Sequence, residues 1–197
     1  MHARHTLWLI CTALWLTACA GGSGSSGFDI TPQSEDAAIA QAVSEQHCVT
    51  HETLTICPAD AATLPTGAAH VETGLNDQLP VACATAADRS GCTFTLPFMP
   101  IGFPANATFR VATRLLEPAG SWVIGAVPGA NGTPSAPDFE APVDVQISSS
   151  TPSAEPIQLA VLAFLTPPAS LPATVDTLAA THADFAFVTP ELQLQPQ

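Results

Sequence analysis

Three side chains that could ligate a metal ion lie close together in the sequence: His47, His51 and Glu52. Imidazole and carboxylate groups are common zinc ligands, and a catalytic zinc site uses three of them and keeps one position open. On an extended strand, His47 and His51 share a face but lie about 13 Å apart, too far to bind one ion. A hairpin turn that folds His51 back would be needed to bring them together. The pattern therefore favours exposed polar residues, with a metal site as the alternative.

Motifs of known reaction classes are missing from the chain. It contains neither the Gly-x-Ser-x-Gly turn of hydrolases, nor a His-Glu-x-x-His zinc motif, nor a calcium-binding loop. We therefore expect no catalytic residue and no cofactor, and a non-catalytic binding or accessory role. One alternative is a metal-dependent or other hydrolytic enzyme that uses His47, His51, Glu52 and His70. Another is a carrier of apolar ligands.

Four of the six cysteines form two equally spaced pairs, Cys48-x8-Cys57 and Cys83-x8-Cys92. An even number of cysteines in an exported chain indicates disulfides, and four cysteines allow three connectivities. The two local pairs are favoured, because each eight-residue segment has the right length to fold back as a hairpin. A four-cysteine metal site is the rival, but such sites usually contain close Cys-x2–4-Cys pairs, which this chain lacks.

Two of the four cations, Arg110 and Arg114, lie on one face of the strand predicted over 108–116. We expect each to pair with a carboxylate on an adjacent strand, since opposite charges across strands attract each other. Binding of an anionic ligand is the alternative. Trp122 follows a turn that contains glycine, and we expect it to pack in the core.

Four phenylalanines flank Met99-Pro100-Ile101-Gly102, which is predicted to be an apolar loop; they are Phe94, Phe98, Phe103 and Phe109. The favoured interpretation is that they line the core. The alternative is an exposed patch for a partner or lipid, because large exposed apolar patches mark interaction sites.

The amino-terminal residues have the layout of an export signal, in which Arg4 precedes an apolar run over 7–16 that is too short to span a bilayer. The run ends in Leu16-Thr17-Ala18-Cys19, which resembles the lipobox of bacterial lipoproteins. The resemblance implies cleavage before Cys19 and a thiol that carries diacylglycerol, in a protein acylated with fatty acids such as palmitate. Ala20 resembles the pattern of lipoproteins that are passed to the outer membrane, facing the periplasm or the cell surface. Ordinary secretory cleavage after Ala20 is the alternative.

The segment after Cys19 is almost entirely glycine and serine through Gly27, which is typical of a flexible tether. We therefore divide the chain into a signal peptide (1–18), a lipidated cysteine and tether (19–34) and one domain (35–197). The formal charge of the whole chain is −13, and the signal peptide holds one of its cations and none of its acids. A chain with this negative charge is not suited to binding nucleic acid, because such binding requires several Lys or Arg side chains on the phosphates. The expected partners are the membrane, through Cys19, and another envelope protein.

The fold predicted from patterning is all-β: a disulfide-stapled antiparallel β-sandwich, Ig-like or similar, with one or two short helices. Short alternating segments separated by turn signals support this class. A helix is predicted over 31–46, and a second one containing Leu171, Val175 and Leu178. Pro190 is expected to place the last strands at a sheet edge. Predicted strands cover 48–50, 54–57, 78–83, 92–96, 108–116, 121–127, 143–147, 157–165, 184–188 and 191–194.

Overall fold

A computed structural model describes residues 34–61, 67–75, 81–85, 91–116, 119–127, 139–146 and 155–196. The chain is mostly β. In chain order the elements are α1 (Glu35–Glu45), β1 (Val49–His51), β2 (Leu54–Pro58), β3 (His70–Glu72), β4 (Val81–Thr85), β5 (Gly91–Ile101), β6 (Thr108–Leu115), β7 (Trp122–Gly125), β8 (Phe139–Gln146), β9 (Glu155–Phe164), β10 (Thr174–Val175), a 3-10 helix (Leu178–Thr181), β11 (Phe185–Val188) and β12 (Leu192–Pro196).

Strand β9 is the central strand of a curled, mixed sheet. It pairs with β6 from Ile157 to Phe164 on one side. On its other side it pairs first with β12 and then with β11. Alternate β9 side chains enter two different hydrophobic clusters, so both of its faces are buried. This explains why its sequence is almost continuously apolar, since a strand buried on both faces has no solvent side to alternate with.

The strand order along the main path is β1-β2-β11-β9-β12-β4-β5-β3. Strand β6 also pairs with β9, β7 joins β6 to β10, and β8 pairs with β5. Most pairs are antiparallel, as predicted, but β2–β11 and β4–β12 are parallel. The prediction of mainly antiparallel pairing is therefore correct for most strands, but these two pairs depart from it. It rested on short turns between neighbouring strands, whereas more than 100 residues connect each of these two pairs.

The two hydrophobic clusters occupy opposite faces of the sheet around β9. The β5-side core lies between that sheet and strands β4 and β5, and includes Cys83, Cys92, Phe94, Leu96, Phe98, Phe109, Val111, Leu159, Val161 and Phe187. The helix-side core lies beneath α1 and the 3-10 helix, and includes Ala38, Ile39, Ala42, Leu54, Ile56, Trp122, Ala160, Leu162, Phe164 and Leu178. The sheet is thus covered on both sides.

Helix α1 is shorter than the segment predicted for it. Ser34 is its N-cap, with Oγ accepting a hydrogen bond from the Ala37 N–H at 3.2 Å, the usual role of serine at this position. It ends at Gln46, which has the left-handed conformation (φ 56°). Its apolar stripe of Ala38, Ile39 and Ala42 is buried, although most of that stripe is alanine.

Three local predictions are wrong. The segment around Leu171 and Val175 is not a helix but a loop that leads into β10, because Leu171 precedes Pro172, which disfavours helical backbone, and Thr174 and Val175 pair with β7. Met99–Ile101 continues strand β5, where it pairs with β3. The last strands are not at an edge: β11 lies between β2 and β9, and β12 between β9 and β4. Pro190 is outside both strands, so it removes no hydrogen bond from either ladder.

Candidate functional site

Both local disulfides favoured by the cysteine spacing are present. Cys48–Cys57 joins β2 to the residue that precedes β1, with the two Cα atoms 4.1 Å apart. Cys83–Cys92 joins β4 to β5, with a Cα separation of 5.6 Å. Cys57, Cys83 and Cys92 are buried, whereas Cys48 is partly exposed. The sequence Asp88-Arg89-Ser90-Gly91 is typical of a turn and predicts the tip of the second hairpin. It lies outside the described residues except for Gly91.

The histidines considered as metal ligands are spread over separate elements. His47 is exposed after α1 and its Nε2 lies 3.4 Å from the Glu45 carboxylate. His51 ends β1, and Glu52 forms the adjacent turn in the left-handed conformation (φ 54°). His70 is in β3, where Nδ1 donates to the Ala68 carbonyl at 2.9 Å and Nε2 faces Glu72 at 3.6 Å. Among the described residues, no three His, Cys, Asp or Glu side chains are grouped to hold a metal ion.

The residues with the most distinctive chemistry are two consecutive acids at the start of α1, Glu35 and Asp36. Glu35 is buried, and its two carboxylate oxygens accept hydrogen bonds from the backbone N–H groups of Leu178 and Ala179 at 2.8 and 2.9 Å. These N–H groups open the 3-10 helix and have no acceptor within it. Glu35 therefore fastens the first turn of α1 to a segment 143 residues later in the chain.

Asp36 makes the second attachment, an ion pair with Arg114 on β6 at 2.7 Å. The same guanidinium donates through Nη2 to Gln158 Oε1 at 2.9 Å, and it lies over the Trp122 ring with Cζ 4.5 Å from the centroid. Gln158 in turn donates to the Thr189 carbonyl at 3.3 Å. We call Glu35, Asp36, Arg114, Trp122 and Gln158, together with their hydrogen-bond partners, the tether junction, because residues 19–34, predicted to be a tether, immediately precede Glu35 in the sequence.

The expected partner of Arg114 was therefore wrong in its location. Its carboxylate comes from α1 and not from an adjacent strand. Arg110, on the same face, donates through Nη1 to the Phe109 carbonyl at 2.7 Å. Trp122 is fully buried, as expected, and its ring lies beneath the Arg114 guanidinium. Its Nε1 and the Arg114 Nε are buried without a hydrogen-bond partner. The guanidinium is nevertheless stabilised by the cation–π contact, because the electron-rich face of the Trp122 ring attracts its positive charge.

The phenylalanines flanking Met99 line the core, as favoured. Phe94, Phe98 and Phe109 are buried, and the Phe103 ring meets Phe109, Phe185 and Phe187 edge to face, at centroid distances between 5.2 and 6.0 Å. Edge-to-face contacts add stability beyond area burial. The exposed-patch interpretation is therefore wrong for Phe94, Phe98 and Phe109, whereas Phe103 is partly exposed.

Sequence reasoning did not identify the junction as a site. Early acids in a predicted helix were visible, but the groups they contact lie 78 and 143 residues away. Within the described part of the chain, no helix is both long and apolar enough to cross a bilayer. The sequence matches no family model and no curated protein.

Proposed function

We propose that the chain is a lipid-anchored protein of the bacterial cell envelope that acts as a non-catalytic binding or accessory module. The observation that carries the proposal is the motif Leu16-Thr17-Ala18-Cys19 at the end of an apolar run, followed at once by the glycine and serine segment. A cysteine with two or more acyl chains supplies stable anchoring, whereas one chain binds only marginally. We propose that the lipid inserts into the outer membrane and that the domain faces either the periplasm or the cell surface.

The two disulfides support an exported protein, because disulfides persist in oxidising compartments and are rare in the bacterial cytosol. The charge of −13 supports a protein that acts beside an anionic surface without adsorbing to it. Both properties fit a domain that is held near a membrane by its lipid and not by basic residues.

The tether junction supports a tethered arrangement of this kind. A flexible segment that joined a frayed helix would lengthen as the helix unravelled. Here Glu35 and Asp36 fix the first helical turn to the 3-10 helix and to β6. The tether therefore begins at a defined point on the domain surface, so its reach is set by the residues before Ser34.

For the fold, we infer a β-sandwich in which β4, β5 and β8 form one layer over the β2–β11–β9–β6 sheet. The β5-side core supports this interpretation, because it combines residues of both layers, such as Leu96 and Val161. The Ig-like form has antiparallel sheets, and the two parallel pairs weigh against it. An experimentally determined structure that places Leu96 across from β9 would support the two layers.

No arrangement among the described residues favours the metal-dependent or other hydrolytic enzyme, or the apolar-ligand carrier, over an accessory module. Fractionation of cells expressing the full chain tests the proposal. We expect the wild-type protein in the membrane fraction, with its first peptide carrying acyl chains on Cys19 by mass spectrometry. Cys19→Ser should move it to the soluble envelope fraction or leave it unprocessed. Cys11→Ser is the matched control and should change neither property. An unmodified amino terminus at Gly21 would reject the lipid anchor.

A further inference from the structure

The two disulfides differ in their access to solvent and in the elements that they join. Cys83–Cys92 joins β4 to β5, and both of its cysteines are buried in the β5-side core. Cys48–Cys57 closes the hairpin of β1 and β2 at its open end, at one end of the main strand path. Cys57 is buried, but Cys48 is partly exposed. The second bond is therefore the one that a thiol in solution can reach while the domain is folded.

The Cys48–Cys57 bond also fastens one end of helix α1. At its amino-terminal end, α1 is held by Glu35 on the 3-10 helix and by Asp36 on Arg114. At its carboxyl-terminal end, the helix stops at Gln46, and two residues later Cys48 is bonded to β2. The buried apolar stripe between these ends consists of one isoleucine and two alanines. Because so small an apolar area contributes little free energy, the attachments at the two ends matter for keeping α1 in place.

Strand β1 adds little support at this end of the helix. It has three residues, and within the described part of the chain it pairs with β2 alone. Strand β2 is held independently of β1, because its other edge pairs with β11 and its Leu54 and Ile56 side chains are fully buried. Short edge elements open at a lower free energy than central strands. Loss of the disulfide therefore lets α1 and β1 separate from β2 while β2 stays in the sheet.

We propose that Cys48–Cys57 is an exchangeable disulfide that controls whether α1 stays fastened over the helix-side core. One sulfur of an external dithiol attacks Cys48 Sγ as a thiolate, the bond to Cys57 breaks, and the Cys57 sulfur takes up a proton. The second sulfur of the dithiol then attacks the mixed disulfide and releases Cys48 as a thiol. The dithiol is oxidised to a disulfide, and the chain gains two electrons and two protons.

Reduction has a structural consequence at the face of β2 that α1 covers. Leu54 and Ile56 lie in the helix-side core with Ala38 and Ile39 of the helix. Opening of α1 brings these two β2 side chains into contact with water, so the redox state of one bond sets the exposure of an apolar face. This inference goes beyond the proposed function and does not depend on acylation of Cys19, because both attachments of α1 lie within residues 35–58 and their described partners.

The test is graded reduction of the protein purified from cells, with dithiothreitol as the dithiol, read by alkylation and peptide mapping. We expect low concentrations of urea to leave the rate of Cys48–Cys57 reduction unchanged, because Cys48 is reached in the folded state. The same urea should accelerate reduction of Cys83–Cys92, because both of its cysteines become accessible only when the fold opens.

Hydrogen exchange reads the release of α1 in the same samples. After selective reduction of Cys48–Cys57, the amides of α1 and β1 should exchange faster, by up to about hundredfold, the factor expected for a cross-link across a loop of this length. The amides of β9 should remain protected. Cys48→Ser combined with Cys57→Ser should reproduce this pattern without dithiothreitol. Cys83→Ser combined with Cys92→Ser is the matched control and should not accelerate α1 relative to β9.

Three results would overturn the proposal. The first is unchanged exchange in α1 after Cys48–Cys57 is reduced, which would mean that the bond does not hold the helix. The second is equal acceleration in α1 and β9, which would mean that reduction opens the whole fold. The third is a rate of Cys48–Cys57 reduction that rises with urea in parallel with that of Cys83–Cys92, which would mean that Cys48 is not reached in the folded state.

Discussion

Arg114 shows how far a local pattern can define the role of one residue. The alternation along 108–116 correctly places Phe109 and Val111 on one face and Ala112 and Arg114 on the other. The same pattern also predicted that the guanidinium would need an acceptor. It did not identify Asp36, which precedes Arg114 by 78 residues, because strand periodicity carries no information about which helix will cover that face.

Asp36→Asn should lower the free energy of unfolding by only about 0.2–1 kcal/mol, because the Asp36 side chain is largely exposed and such pairs are weak. Arg114→Ala should cost more, about 2–3 kcal/mol, because it also removes the cation–π contact with buried Trp122 and leaves Gln158 without its donor. Urea denaturation of the two variants measures both values. Equal losses would contradict the assignment of the larger share to Trp122 and Gln158.

Glu35→Ala should lower stability by about 1–3 kcal/mol, since the N–H groups of Leu178 and Ala179 lose their charged acceptor in a buried position. Hydrogen exchange should accelerate first at those two amides. Glu45→Ala is the matched control in the same helix, and because Glu45 is exposed we expect a change within about 0.5 kcal/mol. Unchanged exchange at the 3-10 helix would show that Glu35 does not hold it.

At the scale of elements, β9 was recognised as a strand from its apolar run, but its position between β6 on one side and β11 and β12 on the other was not foreseen. A continuous apolar run indicates burial on both faces without stating what covers them. Here β5 covers one face and α1 covers the other, and these two elements are distant from each other and from β9 in the sequence. The proline-rich segment before β10 was assigned to a helix because three apolar residues had helical spacing. Pro172 disfavours helical backbone at the residue before it, and β10 instead pairs with β7.

Leu159→Ala and Leu162→Ala test the burial of both faces of β9. Leu159 lies in the β5-side core and Leu162 in the helix-side core, and both are fully buried. We expect each substitution to cost about 2–5 kcal/mol. Leu165→Ala, just beyond the strand and 38% exposed, should cost far less. Chemical denaturation compares the three, and a small effect at either Leu159 or Leu162 would mean that one face is open to water.

The two hairpins should differ in how readily their disulfides are reduced. Each bond closes a loop with a sequence separation of 9, so the chain-entropy contribution is the same, about 2.7 kcal/mol. Access differs, because Cys48 is partly exposed while Cys83 and Cys92 are both buried. Cys48–Cys57 should therefore be reduced first under graded dithiothreitol, as read by alkylation and peptide mapping. Reduction of Cys83–Cys92 first would contradict the burial argument.

At the scale of the whole molecule, the sequence was informative about local features and uninformative about their assembly. The x8 spacing predicted both disulfides, because hairpin closure is a local property. The parallel neighbours of β2 and β4 lie near the other end of the chain, at β11 and β12. No spacing rule connects such distant segments, and the tether junction was missed for the same reason.

The charge of the whole molecule gives a prediction with a definite sign. The chain carries 17 acids and 4 cations, so the folded state is destabilised by repulsion between its carboxylates. Raising sodium chloride should therefore increase the thermal midpoint. Most of the gain should come by about 0.15 M, where the Debye length has fallen to about 8 Å. Salt also weakens the attraction between Asp36 and Arg114, but the stability lost in this way is smaller than the stability gained from the screened repulsion. A midpoint that falls with salt would indicate that attractive pairs dominate.

The central position of β9 also affects the order in which strands can pair while the chain is synthesised from its amino terminus. Strands β2 and β6 belong to the first 115 residues, but their neighbours β11 and β9 do not begin until residues 185 and 155. Contacts between segments so far apart in sequence give a high contact order and slow folding. Until these strands are made, β2 lacks its parallel neighbour β11 and β6 lacks its neighbour β9. The fold can therefore be completed only after residues 155–188 have been made, and the unpaired strand edges present until then are prone to aggregation.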